Sequence, residues 1–382
     1  DYEDEKRQDV LYGFPQKLVS YPLPGTVVPP WLAEGSAQYM FEGANWDHWD
    51  SHRDMILRDR ALNDNLLSFT EMNTFGKKGI GNESTYNAGF SLCSFIAENY
   101  GSDALKQIMV ELSNPLQFSI DKAIMKVTGI NGFQLYEDFK GSIEIKYNEK
   151  TQSIRSNEVK GEILVTKGTT NLHPKWSPDG KKIVYISNKE NDYFNQTDLF
   201  LYDLDKQESE KLDGGALFAP AWHPSGNAIY YTKKPIIPNK YGSRFFDIYE
   251  YNLEKKKEKR LTKFQRAYNP VFISSDSSLA FLSTHDGSQN IYYLNLKTEK
   301  ITQLTDFDDH SILRGLSYDS ENHRLLYNRT MHHYRDIYYY SLTDSTTDVI
   351  IANELWDERD VHYSNGALIY SDDRSGVYNL RI

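Results

Sequence analysis

The residues able to do chemistry are few and scattered. Cys93 is the single cysteine among 382 residues, which excludes an intrachain disulfide, a thiolate zinc cluster and an iron–sulfur centre. Any metal must therefore be held by histidine and carboxylate. His48 and His52 stand at i,i+4 spacing and can face one way on a helix, but Trp49-Asp50-Ser51 between them lacks the glutamate of an H-E-x-x-H zinc motif. No H-E-x-x-H occurs anywhere in the chain. His332 and His333 are neighbours just before a strand, where adjacent side chains point to opposite faces and do not readily share an ion. A G-x-S-x-G nucleophile elbow is absent as well. Cys93 has no base beside it in sequence and reads as a small core residue. Glu34 and Tyr86 remain as candidates. Taken alone, the first is a carboxylate near a helix start, where the dipole favours it, and the second is a ring on an apolar stripe.

The elements that must hold these residues are helices. Up to about residue 148 apolar positions recur at helical spacing: Trp31 to about Gly43, then Trp49 to Asn63 with Met55, Ile56 and Leu62 as the expected inner face. A third helix begins near Asn82 or Ser84, either able to cap it, carries Tyr86, Phe90, Cys93 and Ala97 on one stripe and stops at Tyr100-Gly101. Further helical patterns cover 102–113, 117–128 and 131–147, with Gly129 and Gly132 as punctuation. A polar stretch over 149–160 then reads as a linker. The chain begins at Asp1 with neither a methionine nor a secretion signal, so a missing upstream part is expected.

From 161 to 382 the pattern becomes short alternating runs rich in Tyr, Ile, Val and Leu. An internal repeat is visible in Asp198-Leu199-Phe200-Leu201-Tyr202, Asp247-Ile248-Tyr249-Glu250-Tyr251, Asn290-Ile291-Tyr292-Tyr293-Leu294 and Asp336-Ile337-Tyr338-Tyr339-Tyr340. A fifth copy begins at Gly376. The starts at 198, 247, 290, 336 and 376 give intervals of 49, 43, 46 and 40, close to the ~40–45 residues of a four-stranded propeller blade. Each copy is preceded by an aromatic or apolar turn, such as Trp176-Ser177-Pro178-Asp179-Gly180, and by an apolar strand. One such sheet does not bury both faces alone, so blades stack radially.

The Trp-Ser-Pro-Asp-Gly turn and the aspartate-led tyrosine strand resemble the WD-type repeats of the Tol-system periplasmic propeller and of prolyl-oligopeptidase propellers. The expected fold is α+β and multidomain: an all-α part over 1–148 and a Tol-like β-propeller of four-stranded blades over 161–382. About five blades are visible, and ring closure is expected beyond Ile382.

A second resemblance lies in the helical half. Trp31-Leu32-Ala33-Glu34-Gly35-Ser36-Ala37-Gln38-Tyr39 is similar to the W-L-x-E-G-x-A-x-Y segment of gluzincin metallopeptidases, the clan of the aminopeptidase N and thermolysin-like families. Ser84-Thr85-Tyr86-Asn87-Ala88-Gly89 resembles the S-Y-x-x-G segment of the aminopeptidase N family. These resemblances imply that Glu34 is the third zinc ligand, a hard carboxylate suited to Zn²⁺ beside two imidazoles, and that the Tyr86 phenol stabilises the tetrahedral oxyanion. The family's H-E-x-x-H precedes this segment, so it is expected upstream of Asp1, and the chain itself should be inactive.

Basic residues number 43 against 54 acidic, and a net charge of -11 disfavours nucleic acid. The run Lys255 to Arg260 reads as a solvated outer strand. No apolar run approaches the ~20 residues of a transmembrane helix. The implied protein is a bacterial periplasmic or secreted zinc peptidase, with peptides or proteins as substrate or partner and the propeller in recognition. The alternative is a non-catalytic envelope scaffold that keeps a degenerate peptidase domain and binds a protein through its propeller.

Overall fold

A computed structural model describes residues 28–43, 51–74, 82–114, 116–273, 277–331 and 334–382. The chain forms two compact units, Asp1–Lys160 and Gly161–Ile382.

The first unit is helical, with α1 (Pro30–Gly43), α2 (Ser51–Leu62), α3 (Glu83–Tyr100), α4 (Ala104–Ser113), α5 (Ile120–Thr128) and α6 (Gly132–Ser156), and a short 3-10 turn at Glu71–Asn73 before α3. Trp31, Leu57, Met72, Leu92, Ile96, Ile108, Ile124, Leu135 and Phe139 form its buried core. Gly101 (φ +98) and Gly129 (φ +81) end α3 and α5 in backbone that a Cβ would strain. Asn82 occupies the cap position of α3, but its side chain makes no capping bond. The inner face expected for α2 is corrected in part: Leu62 packs half-buried against the core, but Met55 is exposed and Ile56 only half-buried, while Asp54, Leu57 and Arg58 are buried. The rotation is set by charge. The Asp54 carboxylate accepts from Arg58 at 2.9 Å and, from α6, from the Tyr147 hydroxyl at 2.9 Å and Lys150 at 2.8 Å, so the ion is buried with its partners. That use of α6 carries the helix to Ser156, into the stretch expected as linker.

The second unit is a β-propeller of five antiparallel sheets. The blades are β1 (Asn171–Trp176) to β4 (Glu208–Asp213) with β2 (Lys182–Ser187) and β3 (Asp198–Asp203); β5 (Ala216–Trp222), β6 (Ala228–Lys233), β7 (Asp247–Asn252) and β8 (Lys257–Arg260); β9 (Ala267–Ile273), β10 (Ser278–Ser283), β11 (Asn290–Asn295) and β12 (Ile301–Gln303); β13 (Ile312–Asp319), β14 (Arg324–Met331), β15 (Tyr334–Ser341) and β16 (Thr347–Ile351); and the three strands β17 (Glu358–Ser364), β18 (Ala367–Asp372) and β19 (Asn379–Arg381). Strands follow chain order across each sheet. The cores lie between blades: Val184 and Leu199 of the first pack with Ile229 and Tyr231 of the second, and Leu282 and Ile291 of the third with Leu313 and Tyr327 of the fourth. This is why the middle strands read as continuous apolar runs.

The residues that begin the tyrosine repeats, three aspartates and Asn290, are structural. Asp198 accepts from the backbone N–H of Gly215 at 2.9 Å, Asp247 from Phe264 at 2.9 Å, Asn290 from Phe307 at 2.7 Å and Asp336 from Asn353 at 3.0 Å. Every one of these bonds spans 17 residues. Each ties a third strand to the connection leading into the next blade, and each acceptor is buried. β8 is exposed apart from half-buried Arg260, and cross-blade ion pairs flank it, Lys256 with Glu210 and Lys259 with Glu299.

Candidate functional site

Glu34 and Tyr86 come together through a close helix crossing. A Cβ on Gly35 would stand 2.4 Å from the carbonyl carbon of Gly89, and one on Gly89 would stand 2.6 Å from the carbonyl oxygen of Trp31. Both glycines of the two sequence segments are thus required by the contact of α1 with α3. Half-buried Glu34 and half-buried Tyr86 follow from it. The Tyr86 phenol donates to the Glu34 carboxylate. Its pKa is raised above the ordinary phenol value, first by burial, then by the charge of Glu34 and this hydrogen bond, with Glu83 adding. On the same helix, Thr85 Oγ1 and both polar side-chain atoms of Asn87 are buried with no hydrogen-bond partner among the described residues.

The donor set around Glu34 does not amount to a zinc site. Among the described residues no group of three or more His, Cys, Asp or Glu side chains is placed to hold a metal ion. His52 is exposed on α2. His48, His332 and His333 lie outside the described residues. One carboxylate does not hold Zn²⁺, so no catalytic step is assigned within this chain. Cys93 is fully buried, its sulfur 3.7 Å from the Ser36 hydroxyl, and burial pushes its thiol pKa up to about 12. It is a packing residue.

A second constellation, which sequence reasoning missed, lies at the centre of the propeller. Each innermost strand, β1, β5, β9, β13 and β17, carries a break in its ladder register. A residue in the left-handed region sits at each break: His173, Phe218, Asn269, Gly315 and Asp360, with φ of 51–66°. Such bulges re-aim side chains, and all five of these residues line a central cavity of about 1070 Å³. Neighbouring blades brace them. Asn269 Oδ1 accepts from the Ala219 N–H at 3.2 Å, and Asn328 Oδ1 accepts from the Asp360 N–H at 3.1 Å. Gly315 is the one position where a side chain is barred by a neighbour, since its Cβ would meet Asn328 Oδ1 at 2.7 Å. Cationic side chains from four blades, Lys175, Arg244, Arg266 and Arg314 among them, join this lining. They occupy unrelated places in the repeat, so no spacing reveals them; the left-handed positions are hidden because four of the five are not glycine.

No family model matches the chain. A 94-residue stretch is 37% identical to the Tol-Pal system protein TolB of Ruthia magnifica subsp. Calyptogena magnifica, covering 24% of this chain. The match spans only 20% of that curated relative's length. Among solved structures, TolB from Acinetobacter baumannii is 16% identical with a TM-score of 0.42, over 55% of this chain and 53% of that one. The β-propeller domain of the Trilobed protease from Pyrococcus furiosus is 15% identical with a TM-score of 0.40, over 55% and 65%. The propeller itself is established by the five sheets and their order.

Proposed function

We propose that the helical unit is the zinc-proximal part of an exported bacterial peptidase and that the propeller recognises its peptide or protein partner. The observation that carries this reading is the Glu34–Tyr86 pair. The two residues that resemble a zinc ligand and an oxyanion donor are 52 positions apart, and a helix crossing made by the glycines of the same two segments joins their side chains. In this reading Glu34 is a zinc ligand and Tyr86 the oxyanion donor, the imidazoles and general base come from polypeptide outside these 382 residues, and the chain alone is inactive. The 94-residue likeness to a Tol-Pal system protein supports an envelope location, periplasmic or secreted, and a protein partner for the propeller.

The test is the protein expressed from its coding region extended upstream through an H-E-x-x-H. Equimolar zinc and peptide hydrolysis are expected, with zinc lost in Glu34→Gln and turnover lost with zinc retained in Tyr86→Phe. Full zinc occupancy in Glu34→Gln, or an upstream region without the histidines, sinks the reading. The likeness of a 94-residue stretch to a Tol-Pal system protein favours a second one, a non-catalytic envelope scaffold with a degenerate peptidase domain. It predicts neither zinc nor hydrolysis, with the partner still retained by the propeller.

A further inference from the structure

The chain carries a net charge of -11, yet the lining of the propeller's central cavity is cationic. Lys175, Lys234, Arg244, Arg266, Arg314 and Arg335 face it, and Asp360 is the one carboxylate among the described lining residues. Several cations elsewhere in the propeller are paired: Lys211 with Asp198 at 2.5 Å, Lys233 with Asp213 at 2.6 Å, and Arg359 with Asp357 at 2.7 Å. The six cavity cations form no ion pair within 4.0 Å among the described residues. Two are instead seated on aromatic faces, Arg266 4.4 Å from the Phe245 ring centre and Lys234 4.8 Å from that of Phe246, contacts that orient a cation without neutralising it.

The positive charge is only partly compensated in its own surroundings. Arg335 is held below the usual guanidinium range, first by burial and then by the charge of Arg359, with Arg314 adding and Asp357 opposing. Lys175 is lowered by desolvation, with Asp360 only partly offsetting it. Burial, helped by Lys175, also holds His173 and His362 low. Both imidazoles are therefore neutral above their lowered pKa values, leaving them to donate or accept hydrogen bonds. The volume bounds the ligand: about 1070 Å³ is at the upper end of small-molecule sites and far too small for a folded partner.

We infer that the central cavity is a receptor site for a compact polyanion, a ligand carrying two or more phosphate or carboxylate groups. The chain's overall negative charge disfavours anions in general, so binding is confined to a ligand small enough to reach the cavity and charged enough to engage several blades at once. Exposed Arg314 and half-buried Arg335 of the fourth blade contact it directly, and Arg244 and Lys234 of the second blade, both exposed as well, attract it. This inference rests on the cavity alone and stands whether or not the helical unit belongs to a peptidase.

The experiment is calorimetric titration of the intact chain with tripolyphosphate and with a hexaglutamate peptide, at ~50 mM and ~500 mM salt. Saturable one-to-one binding of at least one probe is expected, weaker by at least about tenfold at the higher salt. Stronger binding of tripolyphosphate identifies the ligand as phosphate-bearing, and of hexaglutamate as a carboxylate chain. The double variant Arg314→Gln, Arg335→Gln should lose at least about tenfold in affinity. Should it fail to fold, Arg244→Gln with Lys234→Gln, both exposed, decides with a loss of about threefold or more. Binding of neither probe above an uncharged hexaserine peptide overturns the proposal, as does binding unchanged in the folded variants.

Discussion

Replacing Gly35 by alanine isolates the helix contact from every other property of the helical unit. The added Cβ would lie 2.4 Å from both the carbonyl carbon and oxygen of Gly89 and 2.8 Å from the Phe90 nitrogen, where ordinary contact begins at 3.4 Å. The obstruction is backbone in the middle of α3, so relief requires the two helices to separate by about 1 Å, which forfeits a quarter to a half of each dispersion contact they share. Overpacking of this kind costs about 3 kcal/mol at its upper end. Alanine returns about 1 kcal/mol of helix propensity, leaving a net loss of about 2 kcal/mol, or roughly a 4–8 °C fall in the Tm of a unit this size. Urea unfolding followed by far-ultraviolet circular dichroism at the helical band measures it. Gly35→Ala unfolding at the same or a higher urea concentration than the parent would mean that propensity alone operates and that α1 and α3 do not meet closely, which removes the geometric basis for joining Glu34 to Tyr86.

Further expectations rest on other parts of the molecule. In Glu34→Gln the Tyr86 phenol should titrate at lower pH than in the parent, since its charge and charged acceptor are gone; a carbon-13 label on the tyrosine rings reads this, and an unchanged midpoint contradicts the hydrogen bond. Glu358 is fully buried, and burial, followed by the charge of Asp336, raises its pKa to about 7. The native state then holds the proton more tightly than the unfolded chain, so stability falls as pH rises from about 4.5 to about 7, by up to about 3 kcal/mol; Glu358→Gln should flatten that slope, and an equal slope in both proteins refutes the assignment. Asp247→Ala leaves Arg260 and the N–H groups of Phe264 and Gln265 without their acceptor, and should cost about 2–4 kcal/mol in urea unfolding. Cys93 should stay unreactive to thiol reagents until the helical unit unfolds; prompt labelling of the native protein contradicts its burial.

The helices and blades were legible because their periodicity is imposed by burial, and burial repeats. Trp31 to Gly43 and Glu83 to Tyr100 carry continuous helical stripes, and the tyrosine strands alternate against neighbouring blades. α2 misled because its inward face holds Asp54 and Arg58, which are hidden together with Tyr147 and Lys150 rather than exposed; an apolar stripe does not register a buried ion pair. The end of α6 misled for the related reason that Lys150 and Thr151 look like linker until Asp54 and the Tyr147 carbonyl receive them. Glu34 and Tyr86 were legible from local segments, whereas their meeting depended on Gly35 and Gly89 together. The cationic cavity was invisible because its six Lys and Arg side chains come from four blades and stand at unrelated places in the repeat.

The bonds from Asp198, Asp247, Asn290 and Asp336 to a backbone N–H 17 residues later put the protein's cohesive segments out of phase with its sheets. Each segment runs from the third strand of one blade to the threshold of the next blade's first strand, so a cut at a sheet boundary severs a fastened connection. A cut in the loop between the second and third strands passes between fastenings. The exposed stretch from Ile236 to Gly242, joining β6 to β7, is such a place. Circular permutants opened there, and blade cassettes exchanged at that joint, should keep every fastening intact, whereas permutants opened between Asp247 and Phe264 should lose one.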